Sequence, residues 1–298
     1  MTPTRPTRAT ADGRAYLDLQ NAARRGGRDT AEYLALYALE GFLARLAASR
    51  YAQDLVLKGG VLLAAYAARR PTRDIDLQAN RLSNEVDEIV TVAREIAAQP
   101  RDDGLAYDLA TITGRDIRDE DQYAGVRVSI TAHLASADIP FHLDVNFGDP
   151  IWPNPVTIAL PLLLGGHMTV LGYPAHMILA EKIATALERG TVNTRWRDFV
   201  DIATITTHTT IIGTDLAQAL QIVADHRRLT LTPLAPLLAG FGAYAQPKWR
   251  AWRRRQRLEA TTPELFDDLV TTCCALADPI IRGEATHHLW RDGAWQPA

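Results

Sequence analysis

Apolar residues recur at helical spacing over residues 30–51, where Leu34, Leu39, Phe42, Leu43 and Leu46 share one stripe behind an Asp29-Thr30 cap. A shorter helix opens near Gly13 and is closed by Gly26-Gly27. The pattern then changes period. Residues 54–57 are a short apolar run, as a buried strand is; Lys58-Gly59-Gly60 interrupts it, and residues 61–68 return to helical spacing. Residues 74–78 alternate as a strand, and 84–99 read as a helix ended by Pro100. Alternation over 105–113, 126–134, 140–147 and near 156–160 predicts a region that is mainly sheet. After Gly172-Tyr173-Pro174 the chain reads almost wholly as helices, broken at Gly190, Thr209-Thr210, Pro233, Pro247 and Pro279. These shifts predict a tail over residues 1–10, N-terminal helices with an α/β core over 11–172, and a helical C-terminal domain over 173–298.

Composition narrows the class. The net charge of −3 does not mark a nucleic-acid binder, so any attraction for phosphate has to be local. The only cysteines, Cys273 and Cys274, are adjacent, which disfavours a disulfide and leaves no CxxC pair for a metal. They read as buried helix filler in a reducing cytoplasm. No apolar run has membrane-spanning length; the stretch 156–164 is too short and contains Pro161. The Arg- and Thr-rich start has no secretory apolar segment.

The chemistry centres on Asp74-Ile75-Asp76. Residues two apart on a strand face the same way, so the two carboxylates project together and repel unless solvated or bridged by a cation. Magnesium takes one or two carboxylates and fills its shell with phosphate and water. Alone, the pair is better read as a solvated strand edge. Lys58-Gly59-Gly60 lies upstream, where glycines before a helix let backbone N–H groups approach a phosphate; an ordinary tight turn has the same spelling. Downstream, alternation across 141–147 sets Asp144 opposite Leu143 and Val145, as a third carboxylate able to support a two-metal site or as a plain solvent-facing residue. Lys182 follows the apolar residues 177–180 and either snorkels to solvent or meets an anion. His142, His167 and His176 lack zinc-ligand spacing, and His287, His288 and Trp290 read as a polar tail.

Taken in order, Lys58-Gly59-Gly60, then Arg70-x-Thr72-x-Asp74-x-Asp76, Leu143-Asp144-x-x-Phe147-Gly148-Asp149, Ala180-Glu181-Lys182 and Asn193-x-Arg195-x-x-Asp198-Phe199-x-Asp201 resemble the AbiEii/MenT nucleotidyltransferase toxins of bacterial type IV (AbiE-like) toxin–antitoxin systems. The resemblance covers about residues 55–205. It implies a DNA-polymerase-β-like nucleotidyltransferase domain with a mixed sheet. Asp74 and Asp76 would be magnesium ligands, with Asp144 as a further ligand or a supporting acid. Lys182 would bind the triphosphate with Arg195 or Lys58, Gly59 and Gly60 would hold phosphate, and Asp198 would be a further active-centre acid. Arg197 stands where many relatives have Lys. The reaction implied is transfer of NMP from an NTP, ATP or a pyrimidine such as CTP, to the 3′ end of tRNA, which would block aminoacylation and translation. A cognate antitoxin is the implied partner, and Thr72 is the implied site of silencing by phosphorylation; capping of its turn is the simpler reading. Arg250, Arg253, Arg254 and Arg257 share a helical face beside Trp249 and Trp252, as an RNA-binding helix or as an amphipathic helix with its tryptophans inward. The alternatives to a tRNA acceptor are a protein or small-molecule acceptor, or a catalytically silent nucleotide- or RNA-binding module.

Overall fold

A computed structural model describes residues 6–66, 69, 71–118 and 124–298. The first half of the expected 1–10 tail, Arg70, and the last two residues of the expected 61–68 helix lie outside the described residues. The chain divides into two compact units, the first running to Tyr173 and the second from Pro174 to Ala298 with Tyr66 and residues 150–154.

The first unit begins with α1 (Ala11–Arg25) and α2 (Thr30–Ala48), followed by β1 (Leu55–Lys58), the one-turn helix α3 (Gly59–Leu62), β2 (Asp74–Ala79) and α4 (Val86–Ala97). Then come β3 (Ala106–Tyr107), β4 (Thr113–Arg118), β5 (Ala124–Leu134), β6 (Ala137–Phe147), β7 (Val156–Pro161) and β8 (His167–Gly172). Among the described residues these strands form one mixed sheet in the order β3-β5-β6-β2-β1-β8-β7, with β4 also on β5. β2 lies in the interior, parallel to β6 and antiparallel to β1. Its Leu77, with Leu143 and Val145 of β6, meets Ile89, Val92 and Ile96 of α4. That burial fixes which face of the sheet is apolar, and so which face carries the acids.

Two strands, β4 and β8, fall largely outside the predicted segments. The 105–113 segment is interrupted by a 3-10 turn at Leu109–Thr111, and β4 begins beyond it. β4 is largely polar, as an edge strand is free to be, since it has few neighbours to pack against. β8 does alternate between exposed and buried positions, but over only six residues.

α2 buries the predicted stripe, and it also buries Glu40 and Arg45. Arg45 donates to Asp103 at 2.6 Å and to the carbonyl oxygens of Gln99 and Gly41, each at 3.0 Å. Its guanidinium lies 5.0 Å from the Tyr107 ring. Glu40 accepts from Arg69 at 2.6 Å and from the Leu163 N–H at 3.1 Å. Each buried charge is therefore paired, as burial requires.

The second unit contains α5 (Ala175–Arg189), α6 (Trp196–His208), β9 (Ile211–Ile212), α7 (Gly213–Arg227), α8 (Leu234–Leu237), α9 (Phe241–Gln256), α10 (Phe266–Ile281), β10 (His288–Arg291) and β11 (Ala294–Pro297). It is mainly helical. Phe266 is the hub of its aromatic core, with ring centroids 5.1 Å from Trp196, 5.2 Å from Phe199 and Phe241, and 5.4 Å from Trp249. Pro247 and Pro279 lie inside α9 and α10 and do not break them. Each costs one main-chain hydrogen bond, which tertiary packing of the apolar face outweighs. The expected polar tail is a correction: β9, β10 and β11 form a small sheet, and Trp290 is buried. Cys273 is buried and Cys274 half-buried on α10, and burial pushes the Cys274 thiol up to about 12, which keeps it protonated and inert.

Asp103→Ala leaves the buried Arg45 guanidinium without its carboxylate, and it is expected to lower unfolding free energy by about 3–5 kcal/mol. Urea unfolding of the full chain measures this; a loss below about 1 kcal/mol would reduce the pair to a surface-type contribution.

Candidate active site

The pleat of β2 sends Ile75 and Leu77 into the core and leaves Asp74 and Asp76 half-buried on the other face. The neighbouring strands are in register with them. Lys58 of β1 pairs with Asp76, Asp76 with Asp144 of β6, and Asp144 with Arg127 of β5. Four adjacent strands thus carry a row of charges in the order cation, acid, acid, cation. One step along β2, Asp74 is in register with His142, which lies beside Ser129 with Nδ1 and Oγ 3.3 Å apart.

Gly59 is built around Asp76. Its φ is +66°, and a Cβ there would lie 1.9 Å from the Asp76 carboxylate. The Gly60 N–H donates to the same Asp76 Oδ2 at 3.3 Å. The strand-to-helix corner therefore packs directly on the Asp76 carboxylate. Helix α3 starts at Gly59 itself, two residues earlier than its periodicity predicts.

Lys58 is buried and donates to Asp149 at 2.6 Å, with its ammonium 5.6 Å from the Tyr173 ring. Burial raises the pKa of Asp76, and Asp144 and Asp74 add to the rise; Lys58 and the Gly60 N–H oppose it without cancelling it. Arg127 grips Asp144 through two nitrogens, Nε at 2.7 Å and Nη2 at 2.6 Å. That pair gives Asp144 a partner of its own, so it differs from Asp74 and Asp76 as a source of metal ligands. No motif pointed to Arg127; the one available signal was its place on an alternating strand that could pair with residues 140–147.

Thr72 closes the turn before β2. Its Oγ1 accepts from the Asp74 N–H at 3.3 Å and donates to the Asp74 carbonyl oxygen at 3.2 Å. The hydroxyl is half-buried, next to the first carboxylate of the pair.

Other predicted residues lie in the second unit. Lys182 of α5 donates to Asp198 and Asp201 of α6, both at 2.8 Å. Burial works against its ammonium, but the two carboxylates overcome it and hold the lysine above its ordinary pKa. Asp201, in the motif but given no role from sequence, is the more buried of the two acids. Arg195 is exposed, and its N–H is accepted at 2.8 Å by the buried Asn193.

On α9 the tryptophans face inward: Trp249 and Trp252 are buried and stacked with centroids 5.3 Å apart. Arg253 is a correction to the expected cationic face. It is buried, donating to Thr262 Oγ1 at 2.9 Å and to the carbonyl oxygens of Glu259 and Thr262 at 2.8 Å. It pins the turn that follows the helix. Lys248, Arg250, Arg254, Arg255 and Arg257 remain exposed, along with Tyr244, which is 69% exposed.

No helix among the described residues is long and apolar enough to cross a membrane. Among solved structures, a candidate nucleotidyltransferase from H. pylori aligns with 85% of this chain and 96% of its own, at 15% identity and a TM-score of 0.49. JHP933 from Helicobacter pylori aligns with 83% of this chain and 90% of its own, at 14% identity and a TM-score of 0.43. No curated protein matches the chain. Residues 41–272 match the family model described as nucleotidyl transferase AbiEii toxin, type IV TA system. That match takes in the charged row of the first unit and the Lys182 cluster of the second, and it extends over most of the sequence. The chain belongs to the AbiEii nucleotidyl transferase toxins of type IV toxin–antitoxin systems, and is a nucleotidyltransferase toxin with a cognate antitoxin.

Proposed function

We propose that this toxin transfers NMP from an NTP, ATP or a pyrimidine such as CTP, to the 3′ end of tRNA in the cytoplasm, using magnesium held by Asp74 and Asp76. The observation that carries the reading is the in-register row Lys58–Asp76–Asp144–Arg127 with Asp74 beside it. Two like charges at the centre of a sheet face are a poor choice for stability. They suit a divalent cation that takes its other ligands from phosphate and water. When bound, magnesium would shield triphosphate charge and stabilise the leaving pyrophosphate. In the transfer, the acceptor hydroxyl oxygen bonds to the α-phosphorus, the bond from that phosphorus to the oxygen bridging to the β-phosphate breaks, and pyrophosphate leaves as the hydroxyl proton passes to water. Asp144 orients the hydroxyl, and Lys58 adds positive potential. Lys182, kept charged by Asp198 and Asp201, is a triphosphate-binding cation, with Arg195 as a second.

The tRNA assignment draws on the family resemblance and on α9. Residues 241–258 contain no acid, so Lys248, Arg250, Arg254 and Arg255 form a local cationic face on a chain of net charge −3. Tyr244, with the Lys248 ammonium 5.7 Å from its ring, takes over the stacking role considered for the tryptophans. Supplied with each labelled NTP in turn, the wild type should label tRNA in preference to total protein or small molecules. Asp76→Asn should lose about 10³-fold of that rate. Arg250→Glu with Arg254→Glu should weaken tRNA binding and flatten its salt dependence. Label in the protein or small-molecule fraction alone would replace the acceptor, and toxicity that survives in Asp76→Asn would make the protein a silent binding module.

The raised pKa of Asp76 gives a second expectation. Because folding raises it, this group's contribution to stability is present below the ordinary carboxylate range. It is lost as pH rises through the raised value, where the folded state must carry the charge. Metal-free Asp76→Asn should therefore melt about 2 °C or more above wild type at neutral pH, and the gap should close on acidification. Magnesium should stabilise the wild type and leave the variant unmoved. An Asp76→Asn protein that melts lower without metal would refute the strained-pair reading.

Thr72 is proposed as the control point. A phosphate on its Oγ1 would remove the hydrogen bond donated to the Asp74 carbonyl oxygen and add about −1.5 to −2 charge beside the pair, repelling a triphosphate. Intact-mass measurement after co-expression with the cognate antitoxin should show one added phosphate in wild type and none in Thr72→Val. An unmodified wild type leaves Thr72 as a turn residue only.

A further inference from the structure

Arg127 lies outside every motif on which the family resemblance rests, yet it ends the charged row. β5 and β6 pair without interruption from Gly125↔Asn146 to Leu134↔Ala137, so the register that sets Arg127 against Asp144 is fixed on both sides. A slip of one residue would turn the arginine to the opposite face. Its Nε and Nη2 donate to Oδ1 and Oδ2 of Asp144, a fork-to-carboxylate geometry that holds both oxygens in one plane. Asp144 is also the direct neighbour of Asp76 across the parallel pair. Without the arginine, it would be the next carboxylate within reach of a cation held at Asp74 and Asp76. Each of its oxygens keeps a lone pair that the guanidinium does not use.

We propose that Arg127 is a positioning residue of the transfer reaction: it withholds Asp144 from the divalent cation and directs its remaining lone pairs to the acceptor hydroxyl. The proposal rests on the nucleotidyl-transfer reading of the same sheet face. It explains why, of the three acids on that face, Asp144 is the one with a guanidinium across it among the described residues. It also requires arginine. A lysine at position 127 can meet one carboxylate oxygen as a point charge but cannot fix the plane of both.

The full-length chain is tested as wild type, Arg127→Met, Arg127→Lys, Asp144→Asn and the Arg127→Met/Asp144→Asn double variant. Affinity for Mn²⁺ alone, read from the free-ion EPR signal, is measured beside kcat and KM for the NTP and beside the melting temperature. Arg127→Met should bind Mn²⁺ about 3–10-fold more tightly, because a carboxylate is released and a nearby positive charge removed. Its kcat should fall about 10²-fold with little change in KM. Arg127→Lys should fall between it and wild type. In the Asp144→Asn background, Arg127→Met should tighten Mn²⁺ clearly less than it does in the wild-type background, and should slow turnover no further.

Unchanged or weaker Mn²⁺ binding in Arg127→Met, with activity lost only in proportion to folded protein, would make the pair an ordinary cross-strand ion pair and overturn the proposal. Additive kcat losses in the double variant would overturn it too, since Arg127 would then act on the substrate directly. If wild type labels no acceptor at all, the transfer reading fails, and the Mn²⁺ measurements still decide whether Arg127 withholds Asp144.

Discussion

The active face depends on the pleat of one interior strand. β2 has to bury Ile75 and Leu77 against the helical side of the sheet, and a period of two then leaves Asp74 and Asp76 no choice but to share the other side. Because β2 is interior, both neighbours are held to it in register, and the side chains opposite Asp76 are fixed as Lys58 and Asp144. The same logic carries one strand further to Arg127. Hydrophobic burial on one side of the sheet thus positions a charged row on the other, and the precision of that row comes from the core.

Close packing around Asp76 explains Gly59. The carboxylate occupies the space that a side chain at residue 59 would need, and the left-handed backbone there is open to glycine at little cost. The corner also supplies the Gly60 N–H as a hydrogen-bond donor. Even so, Asp76 keeps a raised pKa, because burial and two neighbouring acids outweigh Lys58 and one N–H. The Lys182 cluster shows the contrasting case. There one ammonium meets two carboxylates at 2.8 Å, and the charge is held despite burial. Both groups hold more acids than cations, but in one the ammonium sits between its two carboxylates, whereas in the other neighbouring acids add to the rise in the Asp76 pKa.

Much of this was legible in the sequence because it follows from short-range periodicity. The α2 stripe, the alternation through Asp74 and Asp76, and the position of Asp144 all follow from periods of 3.6 and 2. What periodicity cannot show is which strands lie side by side. Arg127 became part of the site only through the pairing of β5 with β6, and Asp149 only through the path that brings it to Lys58. The glycine pair marks a corner in the sequence, but not what packs into it; the carboxylate it receives comes from sixteen residues away in the chain. Pro247 and Pro279 were misleading for a related reason. A propensity acts on one residue, while Phe266 and the rings around it stabilise whole helices.

The C-terminal cations show how burial changes the meaning of a motif. Read as a string, the arginines and tryptophans of α9 suggest one mixed surface that binds phosphates and stacks bases. In the fold, Trp249 and Trp252 belong to the core, and Arg253 closes the turn after the helix. Removing those three takes one cation from the surface and leaves Lys248, Arg250, Arg254, Arg255 and Arg257 exposed. The tryptophans of the helix turn inward, the charged residues left facing water beside Tyr244 are Lys248, Arg250, Arg254 and Arg255, and none of them is acidic. The bulk net charge of the chain hides this, because phosphate responds to the field within about a Debye length, roughly 8–10 Å, and not to the total. A slightly acidic protein can therefore present a strongly cationic helix, and the sparing use of aromatics on that face favours recognition of a backbone over recognition of particular bases.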